Sequence, residues 1–260
     1  MARSGTRAIF LAAVASVGSL AAWGESSQAG AARARVAAAP SVGTMVVGIG
    51  GKVLAQARTV SAGAVTARVG GKSCAVAAGT PLAVLAALRR SGGPGFALRD
   101  YGRCGSSPAD SGQLFVYSLG GESNRGQSGW EYKVGHVSGS AGAGDASGPR
   151  GDGRRLRSGE RVLWFWCNPF GAGCQRTLEA SPAASTVRPG ASLPVTVTGY
   201  DNQGRGARVV AAIVTLGSDF ASTDARGRAK LIAPTVPGRY AVSAGRSGLV
   251  PSFPETIVVR

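Results

Sequence analysis

Up to about residue 178 the apolar positions follow mixed periods; beyond it they fall into short alternating runs. Residues 64–69 and 72–76 flank Gly70-Gly71, a dipeptide suited to a tight hairpin. Thr80-Pro81 then supplies an N-cap followed by proline at the first helical position. Leu82, Leu85 and Leu88 recur every three residues until Gly92-Gly93-Pro94, which predicts one short helix. Three strands follow. Phe115, Tyr117 and Leu119 alternate, as do Trp130, Tyr132 and Val134, with Glu131 and Lys133 on the opposite face. Val162-Leu163-Trp164-Phe165-Trp166 is apolar on both faces, the pattern of a central strand. A hairpin, one helix and further strands predict an α+β unit with the helix on one face of a mixed sheet.

Between residues 135 and 155 lies a Gly/Ser/Ala-rich stretch from which no core can be assembled, so an exposed loop is expected there. Past it, residues 193–198, 207–216, 228–232, 239–244 and 256–259 form short alternating runs. They are separated by turn signals at Asp201-Asn202-Gln203-Gly204, Asp224-Ala225-Arg226-Gly227 and Pro237-Gly238. Such spacing predicts an all-β sandwich of immunoglobulin-like type, without the cysteine pair or buried tryptophan of an antibody domain. The expected division is a signal peptide over residues 1–29, a flexible Ala-rich tether over 30–43, a first domain over 44–178, a linker over 179–189 and the sandwich over 190–260.

The leader rests on Arg3 and Arg7 ahead of an apolar stretch over residues 8–22, too short to span a bilayer, with small residues around Ser27-Gln28-Ala29. It predicts a secreted or extracellular protein, loosely associated with the cell wall and with no transmembrane segment in the mature chain. Leu193-Pro194-Val195-Thr196 is similar to a sortase signal, but Val197 stands where that signal has glycine. An oxidising compartment makes the four cysteines structural. Cys167 with Cys174 is favoured because the intervening residues turn back directly, which leaves Cys74 with Cys104; sequence alone does not exclude the other pairings. None of them has the short spacing of structural zinc, and no metal or cofactor is expected.

The chain carries a formal net charge of +16, and removing residues 1–29 takes away Arg3, Arg7 and Glu25, leaving +15. The arginines are scattered rather than gathered on one element with interleaved aromatics, which argues against nucleic acid and for anionic wall polymers or glycans. Catalytic patterns are missing. His136 is the only histidine, and there is no G-x-S-x-G elbow. Glu131, Asp145, Asp152 and Glu160 cluster in sequence and keep an acid-based extracellular hydrolase as a distant alternative. Arg150-Gly151-Asp152 matches an integrin-binding tripeptide by chance. The aromatics carry the strongest binding signal. Facing inward, Trp130, Tyr132, Trp164 and Trp166 are core; on an open edge they and His136 would form a surface for sugars or a planar cofactor.

Gly129-Trp130-Glu131-Tyr132-Lys133-Val134-Gly135 and the later Leu156-Arg157-Ser158-Gly159-Glu160-Arg161-Val162-Leu163-Trp164 resemble the transcobalamin C-terminal-like domain of exported bacterial proteins. Thr80 to Leu85 resembles its helix start, and Phe115 to Gly121 its preceding strand. The family usually has Asn-Gly where this chain has Gly135-His136, and Gly-Asp where it has Gly159-Glu160. The resemblance covers roughly residues 60–170 and implies a β-grasp-like fold and, as one function, the carriage of a corrinoid. The C-terminal region is similar to bacterial immunoglobulin-like or prealbumin-like modules through residues 223–229 and 237–242, which implies a spacer. The overall expectation is a non-enzymatic exported binding or cell-surface protein.

Overall fold

The computed structural model describes residues 38–169 and 173–260. The expected signal peptide, and the tether up to residue 37, lie outside the described residues. In chain order the strands are β1 (Ser41–Val47), β2 (Val53–Ser61), β3 (Val65–Val69), β4 (Lys72–Val76), β5 (Phe96–Asp100), β6 (Leu114–Leu119), β7 (Glu122–Ser123), β8 (Gly129–Val134), β9 (Val137–Ser138) and β10 (Arg161–Cys167). They continue as β11 (Thr177–Pro182), β12 (Thr186–Val187), β13 (Ser192–Tyr200), β14 (Gly206–Arg208), β15 (Ile213–Leu216), β16 (Asp219–Ser222), β17 (Arg228–Ile232), β18 (Gly238–Gly245) and β19 (Glu255–Val259). The helix α1 (Pro81–Arg90) joins β4 to β5. The architecture is mostly β and sandwich-like.

A mixed sheet in the order β2-β1-β10-β8-β9 forms the centre of the first half, with β1 and β10 parallel and their other pairings antiparallel. Alternation along β10 sends Val162, Trp164 and Trp166 to one face and Leu163, Phe165 and Cys167 to the other. The first face packs on α1, whose Leu82, Leu85 and Leu88 are buried with Val42, Val46, Trp130 and Tyr132 in one cluster. The helix starts where the sequence predicts. Thr80 Oγ1 accepts from the Ala83 amide at 3.2 Å, and Pro81 needs no donor. Past its end, Gly92 takes a left-handed φ of 85° and the Gly93 amide closes on the Leu88 carbonyl. The hairpin β3–β4 also forms as predicted, turning through Gly70 and Gly71, both at positive φ.

The strands β1 and β2 carry no sequence-derived expectation. β1 starts at Ser41, inside the segment expected to be a tether, and Val42 and Val46 are fully buried. A second difference lies in the glycine-rich stretch over residues 135–155. Its middle, residues 141–149, folds inward, whereas residues 150–155 stand exposed as expected. The Leu82 amide donates to the Ala143 carbonyl, and Ala143, Gly144, Gly148 and Pro149 are buried. A Cβ on Gly142 would collide with the carbonyl of Gly112, and one on Gly144 would lie 2.7 Å from the Ser111 carbonyl oxygen. The small residues therefore let two backbones touch, a form of packing that leaves no apolar periodicity.

The second half packs two sheets face to face, β11-β13-β14 with β17 on β13, against β12-β19-β18-β15-β16. Leu178, Leu193, Val195 and Val197 of the first meet Val214, Leu216, Val242 and Ile257 of the second in a separate core. β11 occupies residues expected to end the first domain and begin a linker. It pairs with β13 along its whole length, and Leu178 and Ala180 are buried in this second core. Residues 207–216 divide into β14 and β15, which lie in opposite sheets; the chain crosses between them at Ala211, whose φ is 56°. A third cluster joins the halves. Met45, Val47, Leu163 and Phe165, on the sheet face away from α1, are buried against Val250, with Phe253 packed on them. That second cover explains why β10 is apolar on both faces.

Candidate functional site

The four aromatics singled out from the sequence come together as one layer. In the β8–β10 register Tyr132 stands opposite Trp164 and Trp130 opposite Trp166. Trp130 and Trp166 meet edge to face at 5.8 Å, and Tyr132 and Trp164 tilt together at 5.3 Å. All four are buried in one cluster with the leucines of α1 and with Leu114, Val116 and Leu119 of β6, none more than 6% exposed. Their polar atoms are turned to internal use: Trp130 Nε1 donates to the Glu122 carbonyl at 2.8 Å and the Tyr132 hydroxyl to the Ala141 carbonyl at 2.7 Å. Burial, with Glu131 and Asp145 adding to it, holds the Tyr132 hydroxyl pKa well above the ordinary tyrosine value. The inward-facing arrangement is thus the one that forms. An open stacking surface on these four residues does not, because all of them are buried within that cluster.

His136 is placed differently. Gly135, at a φ of 59°, turns the chain between β8 and β9 and swings the imidazole toward the second half. The ring stacks on Tyr200 at 3.7 Å with planes 11° apart, and Nε2 lies 3.6 Å from Glu179 Oε2. The Tyr200 hydroxyl donates to the same carboxylate oxygen at 2.8 Å; burial, then Glu179, raise its pKa. A hollow of about 570 Å³ opens beside this group, lined also by Arg150, Arg154, Glu160, Arg161, Phe253 and Glu255. Its acids are engaged. Glu160 pairs with Arg154 at 2.5 Å, and Glu255 takes both guanidinium nitrogens of Arg161. Glu131 and Asp145 lie elsewhere, and no group of three or more metal-ligating side chains gathers among the described residues. This arrangement ties strands of the two halves together.

Lys133 lies on the face opposite Trp130 and Tyr132, as the alternation expects, but that face is covered and the residue is 0% exposed. Its Nζ donates to Thr177 Oγ1 at 3.2 Å and to the carbonyls of Tyr200 and Asp201 at 3.0 and 2.8 Å. Desolvation lowers its pKa to about 8; Asp201 opposes that shift and Arg176 adds to it. The only sequence signal was indirect: a lysine on a face that neighbouring Leu163 and Phe165 make apolar.

An open aromatic surface does exist, on β6. The sequence pattern set Phe115, Tyr117 and Leu119 on one face. The structure buries Leu114, Val116 and Leu119 and turns Phe115 and Tyr117 outward, because a register shift opposite Ala97 and Leu98 inserts Tyr117 as an extra residue. Tyr101, 65% exposed, tilts against Phe115 at 5.8 Å, and the Arg99 guanidinium lies over the Tyr117 ring at 4.7 Å. A hollow of about 330 Å³ runs from this face past Arg125 to Glu131.

The cysteines pair as Cys74–Cys104 and Cys167–Cys174. The first clips the β3–β4 hairpin to the segment after β5; the second links the last residue of β10 to the segment before β11.

No protein-family model matches this chain, and no curated protein matches it. The transcobalamin-like resemblance therefore receives no support from these comparisons. Among solved structures the chain is similar to the D00-D0 domain of Intimin, with 14% identity and a TM-score of 0.26 over 57% of this chain and 90% of that one.

Proposed function

We propose that this chain is an exported, non-enzymatic binding protein that associates with anionic envelope polymers. In this reading a β-grasp-like unit and an immunoglobulin-like sandwich act as one body. The order β2-β1-β10-β8, with two central parallel strands and one helix across them, supports the β-grasp-like description. Two disulfides support an oxidising location, and no helix among the described residues is long and apolar enough to cross a membrane.

The observation that carries the reading is the state of the arginines. Among the described residues only Arg154, Arg161 and Arg228 pair with a carboxylate. Arg58, Arg89, Arg155 and Arg176 donate to main-chain carbonyls and Arg208 to Thr198 Oγ1; the other arginines among the described residues, spread over both halves, are open to external anions. Each such exposed contact is worth at most about 1 kcal/mol, so association depends on many acting together. A corrinoid carrier ranks lower, because the aromatic layer that would meet a planar ligand is core. A hydrolase ranks lower still, because the acids around His136 are already paired.

The test is retention of the purified protein on an immobilised polyphosphate matrix as salt rises. Retention at about 0.05 M and release by about 1 M, where the screening length falls to about 3 Å, is expected. Equal behaviour at both salt levels overturns the proposal.

A further inference from the structure

The outer face of β5–β6 gathers three aromatic rings and two arginines around one hollow. Tyr101 and Phe115 stand 65% and 40% exposed with their rings in contact. Neither ring is needed for the core: Leu98, Leu114 and Val116 fill the inner face of the same strands. Arg99 reaches over Tyr117, with its guanidinium carbon 4.7 Å from the ring centroid. Across the hollow, the guanidinium of Arg125 lies 5.8 Å from the Trp166 ring. Neither arginine forms a salt bridge among the described residues. Between them, the turn over residues 126–129 lines the floor, and Glu131 supplies a single carboxylate whose pKa burial raises.

These parts form one kind of recognition surface. Flat rings offer apolar faces to the C–H side of a pyranose, and planar guanidinium and carboxylate groups match its hydroxyls. Two uncompensated guanidiniums against one carboxylate leave the hollow net positive, and a guanidinium binds a carboxylate in bidentate fashion.

We infer that the hollow bounded by Tyr101, Phe115, Tyr117, Arg99 and Arg125 binds an acidic saccharide. The ring of a sugar acid stacks on Phe115 and Tyr101, and its carboxylate meets Arg99 or Arg125. Glu131 accepts from sugar hydroxyls. The inference deepens the polymer-binding reading by giving it one shaped, partly apolar site beside the diffuse charge. It differs in a measurable way, since stacking survives salt that screens scattered arginines.

The experiment titrates the full protein with a galacturonate hexamer at about 0.5 M salt, followed by tryptophan fluorescence, because Trp130 lines the hollow and Arg125 stands by the Trp166 ring. The double variant Tyr101→Ser/Phe115→Ser and the single variant Arg99→Gln should each weaken binding about tenfold or more. Phe220→Ser, which removes a ring 71% exposed on the sandwich, should leave it unchanged. A neutral galactose hexamer should bind about tenfold more weakly than the acidic one. Unfolding curves matching the unmodified protein keep the comparison clean. Equal binding of both hexamers, or binding indifferent to Tyr101, Phe115 and Arg99, overturns the inference; an acidic peptide binding as tightly as the saccharide overturns it too. If the matrix in the preceding test fails to retain the protein while this titration succeeds, only the diffuse-charge reading falls.

Discussion

The ammonium of Lys133 lies 2.8 Å from the main-chain carbonyl oxygen of Asp201, 68 residues further along the chain and on the far side of the boundary between two hydrophobic cores. With the carbonyl of Tyr200 and the hydroxyl of Thr177 it satisfies a turn that would otherwise bury unpaired acceptors.

That contact gives stability a pH dependence of defined sign. The folded-state pKa of Lys133 is lowered to about 8, below the ordinary lysine value. Between about pH 8 and pH 10.5 the unfolded chain therefore holds a proton that the folded chain has released, and stability from this site rises with pH. Below about pH 8 both states are charged and the slope vanishes. Against Lys133→Met, the unmodified protein should gain up to about 3 kcal/mol across the window, read by urea unfolding at several pH values. A difference that stays flat with pH would contradict it.

The two disulfides should differ in worth. Cys74–Cys104 spans 30 residues and Cys167–Cys174 spans 7. In the chain-entropy account, removing the first by Cys74→Ser/Cys104→Ser costs about 4 kcal/mol and the second about 2.5 kcal/mol. Denaturant midpoints of the two double variants give the order, and a non-reduced digest gives the pairing.

Gly142→Ala tests the folded-in glycine stretch. Its new methyl would meet the Gly112 carbonyl, so a loss of about 2–4 kcal/mol is expected. Gly245→Ala, where nothing lies within 4 Å, should cost far less. Equal costs would mean that residues 135–155 do not pack as described.

The division of the chain also makes a prediction. A fragment over residues 173–260 bearing Cys174→Ser keeps β11 and with it Leu178 and Ala180. It should unfold cooperatively with β-rich circular dichroism, whereas a fragment over 183–260, which lacks that strand, should not. Comparable behaviour of the two would show β11 to be dispensable.

Much of the fold was legible. Thr80-Pro81 with the leucines of α1, Gly70-Gly71 between two short runs, and the doubly apolar β10 are signals carried within a few residues, and all three formed. What could not be read depends on distant partners. The burial of Lys133 was not legible because alternation says which residues share a face but not what later covers it. Phe115 and Tyr117 were turned around by one inserted residue, and a bulge reverses every assignment on one side of it. Residues 139–148 carry almost no apolar side chain, so backbone-on-backbone packing left no pattern to find. For the site, His136 proved to be a junction residue, and the open aromatics were ones that looked like core.

The two-sided burial of β10 also bears on the order in which the protein can be made. A chain synthesised from its N-terminus completes β1 to β10 first and can fold α1 onto one side of that sheet at once. Met45, Val47, Leu163 and Phe165 then remain bare until Val250 and Phe253 emerge, after nearly all of the second sandwich. Throughout that interval the nascent chain carries an uncovered apolar sheet, and the second half acts toward the first as a tethered chaperone that arrives late.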